Sequence, residues 1–257
     1  MHRRPAPTLA LVLLTLGSSL PVSGCATRPP AGDAEATQEF RQTNDPLEPT
    51  NRFLYDVSDK VDRYTLKPVA QGYMAVVPAP VRNGLHNVLA NLGSTVVFVD
   101  DVTQANPRRA IDTLARFMIN STMGGLGVYD VAADWGHPAH ATSFGVTLAL
   151  WGVPAGPYLF LPLVGPSSPR GVAGFGVDIA FDPFIYVPNG YGLMTLDWAR
   201  YGLGLIDTRA RVLGDLDHVK AGALDPYATF RSLYRQNLDS QVEAARNDSL
   251  PITAAAH

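Results

Sequence analysis

The sequence predicts an all-α body, interrupted by one irregular Pro/Gly-rich hairpin region and embedded in or lying on one leaflet of a membrane. Three observations predict it. Apolar residues recur at helical spacing, and no strand alternation extends far enough to compete. The middle of the chain is almost free of charge, and the N-terminus reads as a secretory leader that ends at the only cysteine of 257 residues.

The leader comes first. Residues 1–24 divide into a cationic start (His2, Arg3, Arg4), an apolar stretch from Leu9 to Leu20 and a small-residue exit, Val22-Ser23-Gly24, before Cys25. That exit resembles the lipobox of bacterial lipoproteins, which predicts cleavage before Cys25 and acylation of its thiol. With one cysteine no intramolecular disulfide can form, and acylation removes a thiol that would otherwise be reactive in an oxidising compartment. Each buried CH₂ of the attached chains contributes about 0.8 kcal/mol, so several chains anchor firmly. Ala26 stands where enteric lipoproteins retained at the inner membrane carry aspartate, which points to the outer membrane, facing the periplasm. Losing Arg3 and Arg4 with no acid moves the net charge from −3 to −5, which argues against nucleic acid as a partner.

Residues 25–43 are small, polar and Pro-containing, and read as a lipidated N-terminus and flexible tether. The predicted body is 44–244, with 46% hydrophobic residues in the whole chain excluding a disordered protein. Its first stripe runs through Leu47, Leu54, Val57 and Val61. After Pro80, Val81, Leu85, Val88, Leu89, Leu92 and Val96 predict a helix over 81–99. Another helix is capped by Asn106 with Pro107 at its first position; Ile111, Leu114, Ala115 and Met118 form its stripe, while Arg108, Asp112 and Arg116 are spaced to pair at i,i+4 on the opposite side. Further stripes run through Met194, Trp198, Tyr201 and Leu205, and through Tyr227, Phe230, Tyr234 and Leu238. Residues 245–257 are predicted to be a disordered tail.

From Phe117 to Leu205 the only formal charges are Asp130, Asp134, Arg170, Asp178, Asp182, Asp197 and Arg200, far below the ~25% of an average globular domain. Between Ala141 and Pro169 there is none, yet Gly145, Gly152, Pro154, Gly156, Pro157, Pro162, Gly165 and Pro166 forbid one continuous spanning helix. Irregular backbone at membrane depth must be covered by protein or line a cavity. The prediction is a helical body with a partly apolar surface; the competing prediction is an ordinary buried core.

Sites of chemistry are scarce. No Gly-x-Ser-x-Gly elbow occurs, and Ser94 and Ser143 read as packing or cap residues. His137 and His140 with Asp134 lack a firm third ligand for a metal, and Pro138 places them on a loop. Gly124, Gly125 and Gly127 have no preceding strand and no following Lys-Ser/Thr, so they mark a bend, not a phosphate loop. The sequence therefore predicts no catalytic residue, no metal and no cofactor beyond the lipid on Cys25.

Asn44-Asp45-Pro46-Leu47-Glu48-Pro49-Thr50-Asn51-Arg52-Phe53 resembles the opening signature of the MlaA (VacJ) family, with Pro49 and Thr50 where an aromatic often precedes the Asn-Arg pair. The resemblance continues through 80–92, Arg116-Phe117 with Asn120-Ser121-Thr122, Gly124 to Ala132, Phe144 to Leu148, Gly152 to Tyr158, Asp207-Thr208-Arg209-Ala210 and Asp225-Pro226-Tyr227. It implies a ring-like helical body in the periplasmic leaflet of the outer membrane. An amphipathic passage through it would let phospholipids that have strayed into the outer leaflet leave, handing them to the periplasmic carrier MlaC, with trimeric porins as companions. The resemblance gives Asp45, Pro46, Leu47, Glu48, Asn51 and Arg52 a structural or gating role, and Arg200 is the candidate contact for lipid phosphate, its alternatives being snorkelling to the interface or pairing with Asp197. Two other roles compete with transport: a lipoprotein that scaffolds porins or envelope machinery, and a lipid hydrolase.

Overall fold

The computed structural model describes residues 43–186 and 193–248, together with Asp33, Gln38 and Phe40; of 193–198 it describes the backbone alone. The leader, Cys25, most of the tether and residues 249–257 lie outside the described residues.

Helix α1 (Glu48–Val61) opens with Pro49 in its first turn and passes through a single π-turn (Asp62–Leu66) into α2 (Lys67–Val76). Helix α3 (Ala79–Thr103) extends the predicted 81–99 helix at both ends and is the longest of the described helices. Helix α4 (Pro107–Thr122) is capped as predicted: the Asn106 side chain accepts from the Arg109 amide. A glycine bend follows, with Gly125, Leu126 and Gly127 all at positive φ. Then come the short α5 (Val131–Asp134), α6 (Phe144–Leu150), an antiparallel hairpin of β1 (Leu159–Leu161) and β2 (Gly165–Ser167), and α7 (Pro169–Phe181). Helices α8 (Leu193–Arg211), α9 (Leu213–Gly222) and α10 (Pro226–Asp248) complete the chain. The Pro/Gly-rich middle thus forms a hairpin that follows α6 in the chain and packs on α1 and α10.

Neighbouring elements pack in a closed circuit: α3 on α7, α7 on α6, α6 on α10, α10 on β2, β2 on β1, β1 on α1, and through the π-turn and α2 to α8, which returns to α3. The tightest joint is α6 against α7, where a Cβ on Gly174 would lie 2.2 Å from the Gly145 amide nitrogen. A small aromatic core of Tyr158, Phe160 and Tyr227, with Leu54, Tyr55 and Tyr234 against it, joins α1, the hairpin and α10. The rings meet edge-to-face, Tyr55 with Phe160 at 5.6 Å and Tyr158 with Tyr227 at 5.9 Å between centroids.

Elsewhere the partition is inverted. The largest fully buried side chains are Val146, Asn106, Thr147, Asp45, Asp100, Asp101 and Asp207, while Val81, Val102, Met123, Trp135, Trp151 and Phe175 are exposed. Helix α4 shows the principle. Its stripe faces outward, Ile111 being 66% and Met118 54% exposed, while Arg109, Thr113 and Asn120 are buried. The expected i,i+4 pairing on that helix is replaced by longer-range bonds. Arg116 reaches Asp130 and the His137 carbonyl, and Asp112 pairs with His137, because the polar side of α4 is the side that packs. Water does not favour such a surface, whereas acyl chains do. No described helix is long and apolar enough to cross a membrane.

The predicted tail boundary at 245 moves outward. Helix α10 runs to Asp248, Ala245 is fully buried, and Asp248 accepts from Arg109 Nε at 2.8 Å. The C-terminal turn carries no apolar stripe; the buried Ala245 methyl and the Arg109–Asp248 pair tie it down. Of the α10 stripe, Tyr227 is buried and Tyr234 packs on the aromatic core as its spacing predicts. The α8 stripe divides: Tyr201 and Leu205 are exposed, and the side chains of Met194 and Trp198 lie outside the described residues.

Candidate functional site

The N-terminal motif folds into a buried polar clasp. Asp45, with a fully buried side chain, accepts from Asn51 Nδ2 at 2.8 Å, Arg231 Nη1 at 2.8 Å and the Tyr227 hydroxyl. Asn51 also donates to the Tyr158 carbonyl at 3.1 Å and accepts from the Phe160 amide at 3.0 Å, which stitches α1 to β1. Arg52 grips Asp225 with both terminal nitrogens, at 3.1 and 2.6 Å, takes Glu48 through Nε at 2.8 Å and lies over the Tyr227 ring. Those contacts, led by Asp225, raise the guanidinium above its ordinary range and hold Asp225 below its own. Pro46 and Leu47 form the turn before α1, and Pro49 occupies a first-turn position where no amide donor is needed. The motif residues are therefore brought together around the aromatic core, at the joint between α1, the hairpin and α10.

Arg200 sits on α8 with its side chain 14% exposed and its guanidinium on Asp182, between the rings of Phe184 and Tyr201 at 4.5 and 4.8 Å. Burial alone would raise the Asp182 carboxyl, but Arg200 and the Tyr201 hydroxyl outweigh it and hold it below the usual carboxylate value. A carboxylate thus occupies the guanidinium that a lipid phosphate would need. His137 and His140 do not converge on Asp134: His137 Nδ1 meets Asp112 at 2.9 Å and His140 Nε2 meets Asp101 at 2.8 Å. Ser94 returns its hydroxyl to the Ala90 carbonyl, and Ser143 stands at the N-cap position of α6.

Cavities flank α8. Between α3, α4 and the bend lies a polar one of about 340 Å³, lined by His86, Asn91, Arg116, Asn120, Asp130 and His140 among others. Its polar groups are internally paired: Arg116 with Asp130, His140 with Asp101, and His86 with Asp207 of α8 at 2.9 Å. Asp207 also takes Arg211 and Tyr73, so this one buried carboxylate joins α2, α3 and α8. Burial would raise it, yet Arg211 and His86 keep it below the ordinary carboxylate range.

One face of α8, through Leu205, Thr208 and Arg209, lines an open cleft of about 280 Å³. Its walls are apolar (Leu66, Phe160, Leu163, Val164, Leu205, Phe230), and Tyr55 at its side is pushed up to about 12, chiefly by burial. Its inner end is ionic: Arg209 holds Asp62 through Nε and Nη2 at 2.6 and 3.0 Å, and Lys220 meets Asp59 at 2.5 Å and Asp62 at 3.4 Å. Asp59, Asp62 and Lys220 also line a polar pocket of about 420 Å³ with Arg63, Lys67, Asp217 and Ala221. An apolar cleft therefore meets a polar pocket across one ionic divide. Chemically, an apolar cleft beside such a cluster suits an amphiphile, with chains along the walls and a charged group at the divide. Sequence reading missed these residues, since Asp59, Asp62 and Lys220 look like solvated charges on helices; only Asp207 and Arg209 carried a signal, through the family resemblance.

The model of the MlaA lipoprotein family matches residues 43–241. The chain is 33% identical over 250 residues to the intermembrane phospholipid transport system lipoprotein MlaA of Haemophilus influenzae, covering 93% of this chain and 95% of that protein. It is 34% identical over 237 residues to the protein of the same name from Escherichia coli K12, covering 90% and 88%. A solved structure described as the structural basis for maintenance of bacterial outer membrane lipid asymmetry superposes with a TM-score of 0.67 at 30% identity, covering 77% of this chain and 98% of that one.

Proposed function

The chain belongs to the MlaA lipoprotein family, and from that premise we propose that it removes phospholipids mislocalised in the outer leaflet of the outer membrane. They would pass through an amphipathic passage to the periplasmic carrier MlaC, which maintains lipid asymmetry. The observation that carries this reading is the pairing of an apolar outer surface with an open apolar cleft that shares Asp59, Asp62 and Lys220 with a polar pocket, which we read as the route. Such a surface lets the body sit among acyl chains, and such a route lowers the cost of carrying a charged headgroup past them. No covalent step and no nucleotide is required; direction comes from the carrier. Acyl chains on Cys25 deliver and tether the body, and the outward stripe of α4 supplies apolar area for contact with lipid or with a trimeric porin.

The test is phospholipid accessible to an added phospholipase on intact cells, together with detergent sensitivity, in cells lacking the chain. Both rise if the proposal holds. Leu205 lines the cleft, so Leu205→Trp, expressed at normal level, should reproduce the defect by filling the route. Normal asymmetry in the deletion strain refutes the transport role. A working Leu205→Trp protein refutes the passage and leaves the scaffold role, which the exposed apolar faces would also serve.

A further inference from the structure

Leu126, in the bend between α4 and α5, breaks a local rule. Its backbone is left-handed, at φ +59°, a conformation that presses Cβ against a carbonyl oxygen. Gly125 and Gly127 beside it adopt positive φ without that cost, and a third glycine would meet the turn's backbone requirement equally well. The leucine is therefore held for its side chain, yet that side chain is 79% exposed. In water an unfavourable backbone that turns an apolar side chain outward has no return.

The bend also does without water. The amides of Met123 and Gly124 donate to the Ile119 carbonyl, Leu126 to Ser121, Gly127 to Asn120, Val128 to Gly125 and Tyr129 to Gly124, while the Val128 carbonyl accepts from Asn87. Close packing fixes this arrangement: a Cβ on Gly124 would lie 2.3 Å from the Tyr129 carbonyl oxygen, and one on Gly127 2.8 Å from Asn91 Cβ. A solvated loop can leave such donors to water, whereas irregular backbone in hydrocarbon cannot. No charged residue stands between Phe117 and Tyr129, and Met118, Met123, Val128 and Tyr129 are exposed with Leu126. Charge resumes at Asp130, next to Tyr129, whose ring suits a membrane interface.

We propose that this bend is an insertion point of the body, a rigid apolar tip that carries Met123 and Leu126 into the hydrocarbon of the phospholipid leaflet. The inference rests on the reading of a body lying among acyl chains and adds which segment enters them. A protein partner would cover Leu126 equally well, but it would bring polar groups of its own and would not require the amides of the bend to be satisfied internally.

The test places a nitrobenzoxadiazole dye on Leu126→Cys and Met123→Cys in the full chain, reconstituted in vesicles of palmitoyl-oleoyl phosphatidylethanolamine and phosphatidylglycerol. Ile111→Cys on the outward stripe of α4 and Asp215→Cys on the exposed face of α9 are the references, and the unsubstituted protein gives the background. Melting in detergent checks that each variant is folded. A nitroxide on the lipid acyl chain should quench the bend dyes at least about threefold more than the Asp215→Cys dye, and aqueous iodide should do the reverse. Bend dyes reached by iodide, with the Ile111→Cys dye reached from the lipid, overturn the insertion and keep the embedded body. Bend dyes reached by neither quencher show that protein covers the tip, which also overturns it. If no dye is reached from the lipid, the embedded body fails and the insertion with it. Met123 has an ordinary right-handed backbone, so Met123→Cys decides alone if Leu126→Cys does not fold.

Discussion

Replacing Asp45 by alanine leaves Arg231, with its side chain 14% exposed, without its buried carboxylate, and strips the Tyr227 hydroxyl and one Asn51 amide bond of their acceptor. Breaking a buried ion pair from one side costs about 3–5 kcal/mol, and the neutral bonds about 1 kcal/mol each if they acted independently. They do not, since all converge on one carboxylate, and Arg231 keeps Glu48 at 3.7 Å, so the lower end, about 3 kcal/mol, applies. For a domain of this size that lowers Tm by about 6–12 °C, measured by circular dichroism in detergent. Arg231→Met in the same background should recover part of the loss, with a coupling of about 1–3 kcal/mol. Glu48→Ala, whose side chain is 31% exposed at the edge of the clasp, should cost less, about 1 kcal/mol. Because Asp45 does not line the cleft, the variant should still maintain lipid asymmetry at a temperature where it is folded. A Tm shift under about 2 °C, or single effects that simply add, would refute the clasp. Lost asymmetry at unchanged Tm would make the motif a gate.

Two further expectations follow from packing and burial. Gly174→Ala places a Cβ 2.2 Å from the Gly145 nitrogen and should destabilise by about 1–3 kcal/mol or more by forcing α6 from α7, whereas Gly176→Ala, with nothing within 4 Å, should be tolerated; equal melting temperatures would contradict this. Asp100, 1% exposed, is pushed up to about 8 by burial, with Asp178 and Asp101 adding to it. A raised acid favours the fold below its unfolded value of 3.8 and loses that contribution as pH climbs to about 8, at up to about 1.4 kcal/mol per unit. Asp100→Asn should therefore flatten the stability profile between pH 4 and 8 and exceed the parent at pH 8; an unchanged slope in urea unfolding would disprove it. The lowered carboxylates Asp62, Asp130, Asp182 and Asp207 act oppositely, their contribution falling away only as pH drops through their own values below 3.8.

Much of this was legible in one dimension. Helix periodicity marked α3, α4 and α10, and Asn106 with Pro107 marked the start of α4, because capping and side-chain spacing are properties of neighbours. The absence of charge between Ala141 and Pro169, together with its prolines and glycines, marked an irregular apolar region where a hairpin and close Gly-Gly contact now stand. Motif order alone was enough to identify the family. Which way each face turns was not legible, since an amphipathic helix obeys the same periodicity whether its apolar stripe meets a core or a lipid; in α4 the burial of Thr113 and Asn120 settled that it faces out. Nor could sequence pair Asp45 with Arg231 or Asp62 with Arg209, 186 and 147 residues apart. Those partners meet only when the circuit of helices closes. The tertiary structure therefore decided what charges that look solvated on single helices become together: a clasp that holds the body and an ionic cluster shared by an apolar cleft and a polar pocket.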